Sequence, residues 1–183
     1  DMEDRKVAHQ SVQEYVDDMV QLFPYKASSH KAEQIIHWAH LAEQGENSIS
    51  NLTEAEYAQL LLSIARSCQN KIIILSHVLS HLDDVFFKRA IELSDDYIKN
   101  NSTLVLIDND IDKISETTNY ITWVSHGQIR KEGSLNQVLP IFKEHEKDRK
   151  SLDSKSQLEN FDLDWKKSRT RMPEMTYNFK RIE

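Results

Sequence analysis

Ser76 and His77 follow the apolar run Ile72-Ile73-Ile74-Leu75. Such a run is too short for a helix and too apolar for a half-exposed strand, so it reads as a buried central strand of a parallel sheet. In parallel sheets, chemistry sits just beyond the carboxyl ends of the strands, where this hydroxyl and imidazole fall. His81 lies four positions after His77, an interval that suits zinc on a helix, but the pair sits in an expected loop with no third ligand. His37 and His40, with His30 upstream, lie on an expected helix and read as satisfied or solvent-facing imidazoles. Asp108, Asp110 and Asp112 alternate after a second strand end, yet the glycine and terminal glutamate of an EF-hand loop are missing. Asp83-Asp84 reads as a helix N-cap in preference to a carboxylate dyad. Cys68 falls in an expected helix with no Cys-His-Asn order, so it reads as packing. These patterns nominate no metal site and no catalytic residue.

The elements that position these groups follow from periodicity and caps. Ser11 with Glu14 forms a capping box, and Val12, Tyr15, Val16, Met19, Val20 and Phe23 repeat at helical spacing until Pro24. Ser28 or Ser29 caps a second expected helix with Ala32, Ile35, Ile36, Ala39 and Ala42 on one face, ended by Gly45. Thr53 to Glu56 is a second capping box and opens a helix through Tyr57, Leu60, Leu61 and Ile64 to about Cys68. After the Ile72–Leu75 strand and a polar loop, a helix from Asp84 to about Lys99 carries Val85, Phe86, Ala90, Ile91, Leu93 and Ile98 as its apolar positions. Thr103 to Ile107 reads as a second buried strand, and Ile111 to Thr117 as a short helix. Tyr120–Val124 and Gln128–Lys131 read as a hairpin turned at His126-Gly127. The sequence predicts an α/β chain divided into a flexible start (1–10), a helical subdomain (11–50), an α/β lobe (51–140) and a charged helical extension or linker (141–183). Residues 169–183, with aromatics among basic groups, read as a segment that docks on something.

Composition bounds the function. With 183 residues the chain is long enough for a real core. Only three glycines are present, which excludes a glycine-rich phosphate loop within this chain. A net charge of −7 argues against a nucleic-acid surface. One cysteine rules out an intramolecular disulfide framework and fits a reducing compartment. No apolar run approaches the length of a membrane span, and no secretory leader is visible.

The order of these pieces resembles the second half of an ABC-type ATPase domain. That family reads Leu-Ser-Gly-Gly-Gln, a helix, four apolar residues, Asp-Glu, then Leu-Ser-x-Leu-Asp. Leu52 to Glu56 stands at the signature, Ser76-His77 at the acidic pair, and Leu79-Ser80-His81-Leu82-Asp83 keeps the D-loop, with no gap in the spacing. Asn109 stands at the switch histidine, one residue closer to the D-loop than usual. Trp123, Gly127, Gly133 and Val138-Leu139-Pro140 match the closing motif. Asp83 with Phe86, the Trp-containing strand, and Val-Leu-Pro before a charged tail look like the ATPase subunits of teichoic-acid and related polysaccharide exporters.

The resemblance implies a partial ABC ATPase-like fold with parallel core strands, an N-terminal helical subdomain and a C-terminal helical extension. Against it, the chemistry departs from the family. The phosphate-binding loop is absent, Ser76 cannot hold Mg²⁺ as the aspartate does, His77 replaces the glutamate that polarises water, and Asn109 replaces the switch histidine. Thr53 still offers a hydroxyl at the signature. Glu54, Ala55 and Glu56 replace its Gly-Gly-Gln, and two carboxylates there stabilise the helix through its dipole by roughly 0.3–1 kcal/mol each while repelling phosphate. The expected function is therefore a catalytically degenerate regulatory or interaction module in cell-envelope polymer export, with no catalytic residue, cofactor or metal. The degenerate family positions are Thr53, Glu54, Ser76, His77, Asp83 and Asn109. The implied partner is a membrane subunit or membrane segment, met through the helical subdomain or the tail. The expected place is the cytoplasm, at the inner face of the plasma membrane, as a monomer or a dimer of non-ABC type. The alternatives are an exporter ATP-binding subunit whose P-loop lobe lies outside this chain, and an unrelated α/β binding protein.

Overall fold

The computed structural model describes Met2, residues 9–125 and residues 127–167, with the backbone alone for 165–167. Most of the flexible start expected over residues 1–10, His126 of the hairpin turn, and the docking segment expected over 169–183 lie outside the described residues. The chain forms two units, residues 1–118 and 119–183.

The first unit opens with α1 (Val12–Gln21), held by the expected Ser11–Glu14 capping box. Helix α2 (Lys31–Trp38) departs from expectation at both ends. Its N-cap is His30, not Ser28 or Ser29, with no side-chain cap. It ends at Trp38 in a Schellman motif: His40 takes φ +62, Leu41 N donates to Ile36 O, and His40 N donates to His37 O. His37 and His40 therefore do not share a helix face, and Ala42–Gln44 forms a separate 3₁₀ turn that Gly45 closes. Helix α3 (Glu54–Cys68) starts at Thr53 as expected and carries the centre of the core, with Tyr57, Leu60 and Leu62 fully buried. Cys68 is buried there.

Strands β1 (Ile72–Ser76) and β2 (Thr103–Ile107) pair in parallel, with Ile74 opposite Val105 and Ser76 opposite Ile107. The pleat turns Ile73, Leu75, Leu104 and Leu106 toward the core. The expectation of two buried strands fails on the other face: Ile72 is 65% exposed, Ile74 62%, Ile107 50% and Val105 37%. An unbroken apolar run signals cover on both faces, but among the described residues only one face is covered.

Helix α4 (Asp84–Lys99) packs through Phe86, Ala90, Leu93 and Tyr97. Val85 and Ile98, assigned to its apolar face from sequence, point to solvent, because the buried stripe runs one position out of phase with them. Arg89 fastens this helix to α2: its Nη1 donates to Trp38 O at 2.9 Å, and its guanidinium lies over the Trp38 and Phe86 rings. The unit closes with α5 (Ile111–Thr117), whose Thr117 O accepts a short hydrogen bond from the Ser94 hydroxyl.

In the second unit, β3 (Tyr120–Ser125) and β4 (Gln128–Ser134) form the expected antiparallel hairpin, with Gly127 at φ +70. Helices α6 (Leu135–Lys150) and α7 (Lys155–Lys167) follow. Residues 141–183 read from sequence as a charged helical extension or linker, yet His145 is buried. Its ring packs against Trp123 at 4.8 Å and Phe161 at 5.2 Å, so scattered aromatics in a charged sequence make a small core of their own. Among the described residues no helix is long and apolar enough to cross a membrane.

Candidate functional site

The carboxyl ends of β1 and β2 bring the nominated positions of the first unit together. Ser76 ends β1 opposite Ile107, and His77 continues the ladder by donating its N–H to Ile107 O at 2.7 Å. His77 then takes φ +58, a left-handed conformation that reverses the chain into the 3₁₀ turn Leu79–His81. Val78, Leu79 and Leu82 are buried and anchor this loop.

Polar groups from β2 and α5 hold the loop from the other side. Asp108 Oδ2 accepts from Ser80 N at 3.0 Å, and its Oδ1 accepts from Asn109 N and Asp110 N at 2.7 and 3.1 Å. Asp110 caps α5 by accepting from Lys113 N at 3.1 Å. Lys113 reaches back, and its Nζ donates to Leu79 O at 2.9 Å and Leu82 O at 2.8 Å. Asp108 and Asp110 thus receive backbone N–H groups, and no cluster of three metal-ligating side chains occurs among the described residues. Sequence reasoning weighed Asp108 as a cation ligand and missed its role as a loop anchor. Lys113 left no signal, because a lysine on a short amphipathic helix is ordinary.

The start of α3 is closed as tightly. Thr53 Oγ1 and Thr53 N both donate to Glu56 Oε2 at 2.8 Å, and Glu56 N donates to Thr53 Oγ1 at 3.2 Å. Gln44 Nε2 donates to the other Glu56 oxygen at 2.7 Å. The Gln44 amide, followed by the Thr53 backbone and hydroxyl, holds the Glu56 carboxyl below its usual pKa. A fixed carboxylate therefore takes the N-cap N–H at the start of α3, and its charge opposes an anion at that helix end. Glu54 Oε2 lies 3.2 Å from His81 Nδ1, joining this helix start to the loop. Asp83 serves as N-cap of α4, accepting from Phe86 N at 2.8 Å, and its second oxygen accepts from Gln59 Nε2 of α3 at 3.3 Å.

Of the six nominated positions, Glu54 and Asp83 are thus tied to the loop and to its exit, Ser76, His77 and Asn109 line the strand ends, and Thr53 is turned into its own helix cap. The arrangement is a latched loop between two capped helices. Asp83 and Asp108 accept backbone N–H groups there, while Glu54 faces the His81 imidazole.

No family model matches the chain. The teichoic acids export ATP-binding protein TagH of Staphylococcus haemolyticus is 24% identical over 115 residues, which are 63% of this chain and 44% of that protein. The O-antigen export system ATP-binding protein RfbB of Myxococcus xanthus is 20% identical over 114 residues, 62% of this chain and 26% of that protein. The chain thus spans less than half the length of these curated relatives. Among solved structures, the ATP-binding cassette MJ0796 in a post-hydrolysis state bound to ADP and Pi superposes with a TM-score of 0.56 at 16% identity, covering 68% of this chain and 56% of that one. The chain therefore resembles part of an ABC-type ATPase domain in sequence and in fold, and it is similar to the ATP-binding proteins of teichoic-acid and O-antigen export.

Proposed function

We propose that this chain is a catalytically degenerate ABC ATPase-like module that acts by protein contact in cell-envelope polymer export. The observation that supports it is the closure of the nucleotide-facing elements by the chain's own side chains. The Glu56 carboxylate is bound to the Thr53 N-cap of α3, and Asp108 with Lys113 holds the loop after β1. Ser76 and His77 stand where the family places its Mg²⁺-binding and water-polarising carboxylates, and a serine hydroxyl is a poor ligand for a hard dication. Turnover at such a site would need groups that neither residue provides. The module would work at the inner face of the plasma membrane, meeting a membrane subunit through the α1–α2 pair or the C-terminal helices, without cofactor or metal.

Calorimetric titration with ATP and Mg²⁺, on this chain and on any longer polypeptide that contains it, tests the proposal. Absent heat or binding without turnover is expected. Hydrolysis abolished by substitution at a phosphate site would sink it. A second reading has its own support: the chain spans less than half of the two curated relatives named above and, among the described residues, leaves one sheet face open. In that reading it belongs to an exporter ATP-binding subunit whose P-loop lobe lies outside these residues, and the same titration on the longer polypeptide would detect it.

A further inference from the structure

We infer that Arg66 and Arg89, stacked on Trp38 beside His40, form a binding site for a phosphate monoester. The inference goes beyond the loss of turnover proposed above and does not depend on it. Arg66 stands thirteen residues along α3 from Thr53, roughly 20 Å by helical rise, so the site is separate from the capped start of that helix.

Three helices build it. Trp38 ends α2 half-buried, and two guanidinium carbons lie over its ring, that of Arg66 from α3 at 4.6 Å and that of Arg89 from α4 at 4.4 Å. A basic residue in the last turn of α3 suits the helix dipole. The dipole does not explain why a second arginine, from another helix, stacks on the same ring. His40 completes the group. It takes φ +62, where glycine is the cheaper residue, and this sets its Nε2 at 3.3 Å from Arg89 Nη2. A guanidinium can only donate, so the imidazole nitrogen accepts.

The cations lack a counter-charge. The chain has 30 acidic residues, yet among the described residues no carboxylate lies within ion-pair distance of either guanidinium. The face of Trp38 attracts both, but it carries no net charge to cancel theirs. Donors are also left over. Arg89 spends two of its five N–H groups, on Trp38 O and His40 Nε2, and Arg66 has no hydrogen-bond partner among the described residues. A carboxylate would neutralise only one of the two. A phosphate monoester carries about −1.5 to −2 charges near neutrality and three acceptor oxygens, which matches two planar forks. The net charge of −7 repels anions in general, so saturable binding of one would report a local site.

The test is titration of the isotopically labelled chain with glycerol 3-phosphate at constant ionic strength, read by nuclear magnetic resonance at the Nε–H of Arg66 and Arg89 and the indole N–H of Trp38. Saturable shifts confined to these groups and their neighbours are expected, with a Kd of about 1 mM or tighter. Arg66→Gln should weaken binding about tenfold or more through loss of one charge-assisted fork. It should leave melting unchanged, because that side chain is exposed. Acetate should give no saturable shift. A second arm presents phosphatidic acid in phosphatidylcholine vesicles, with retention read by sedimentation. A response to the soluble ester assigns the site to a free phosphate compound. Retention on the vesicles without that response assigns it to a lipid headgroup, and either signal must be lost in R66Q. Silence in both arms, an equal response to acetate, or a response that R66Q leaves intact overturns the inference. No nucleotide is present in either arm, so these outcomes leave the loss-of-turnover proposal to its own titration.

Discussion

The Asp108 carboxylate at the end of β2 accepts a hydrogen bond from the backbone N–H of Ser80 at 3.0 Å and so pins the loop that leaves the neighbouring strand. The same side chain satisfies two N–H groups of its own turn. Asp108→Ala should lower stability by about 1–2 kcal/mol, the range for a charge-assisted bond at a half-exposed site. A urea midpoint unchanged from wild type would show that water replaces the carboxylate without cost.

Lys113 acts on the opposite side of that loop. Lys113→Met keeps the aliphatic stem beside Phe87 but strips two donors from the carbonyls of Leu79 and Leu82. Amide exchange across Leu79–Leu82 should quicken by about tenfold, the equivalent of roughly 1.4 kcal/mol of local stability. The α3 amides should not change. Uniform acceleration throughout the first unit would mean that the latch contributes to global folding instead.

His145 makes the second unit sensitive to acid. Burial against Trp123 and Phe161 depresses its pKa, against opposing pulls from Glu146 and Asp162, and the nearby Arg149 depresses it further. A histidine with a depressed folded pKa contributes stability that is complete above the unfolded value of 6.5 and is lost as pH falls through the folded value. Tryptophan fluorescence of the unit should therefore report loosening below that range, and His145→Phe should flatten the profile. A profile of equal slope in the variant would assign the acid sensitivity to carboxylates.

Tyr97 gives the first unit the opposite sensitivity. Burial, then Cys68, pushes its hydroxyl up to about 12 from 10.0, and it donates to Asn70 O at 3.0 Å. The folded state holds this proton more tightly than the unfolded one. Its contribution is complete below 10.0 and lost as pH rises through about 12. Ultraviolet titration should show one late phenolate that Tyr97→Phe removes, with a cost near neutrality of about 1 kcal/mol for the lost hydrogen bond.

The sequence made local structure legible wherever a cap or a period states it. Ser11–Glu14 and Thr53–Glu56 mark their helix starts because a capping box is a short-range pattern. The end of α2 was not legible, since a Schellman turn usually takes glycine and here takes His40, whose ring meets Phe86 edge-on at 5.1 Å. Tyr97 and Ser94 escaped the apolar stripe of α4 because their burial depends on backbone acceptors at Asn70 and Thr117, which no periodicity reveals. Ile72 and Ile74 were read as buried from their chemistry alone, and chemistry does not say which chain provides the cover.

Arg89 and Asp83 sit on the same helix, one gripping the last carbonyl of α2 and the other receiving the first turn of α4 at the exit of the latched loop. Both fastenings thus fall within the first two turns of the sixteen-residue helix α4, and they tie its N-terminal end to α2 and to the loop. The corner after Trp38 and the exit of the loop after β1 are therefore held to one short, glycine-free stretch of helix.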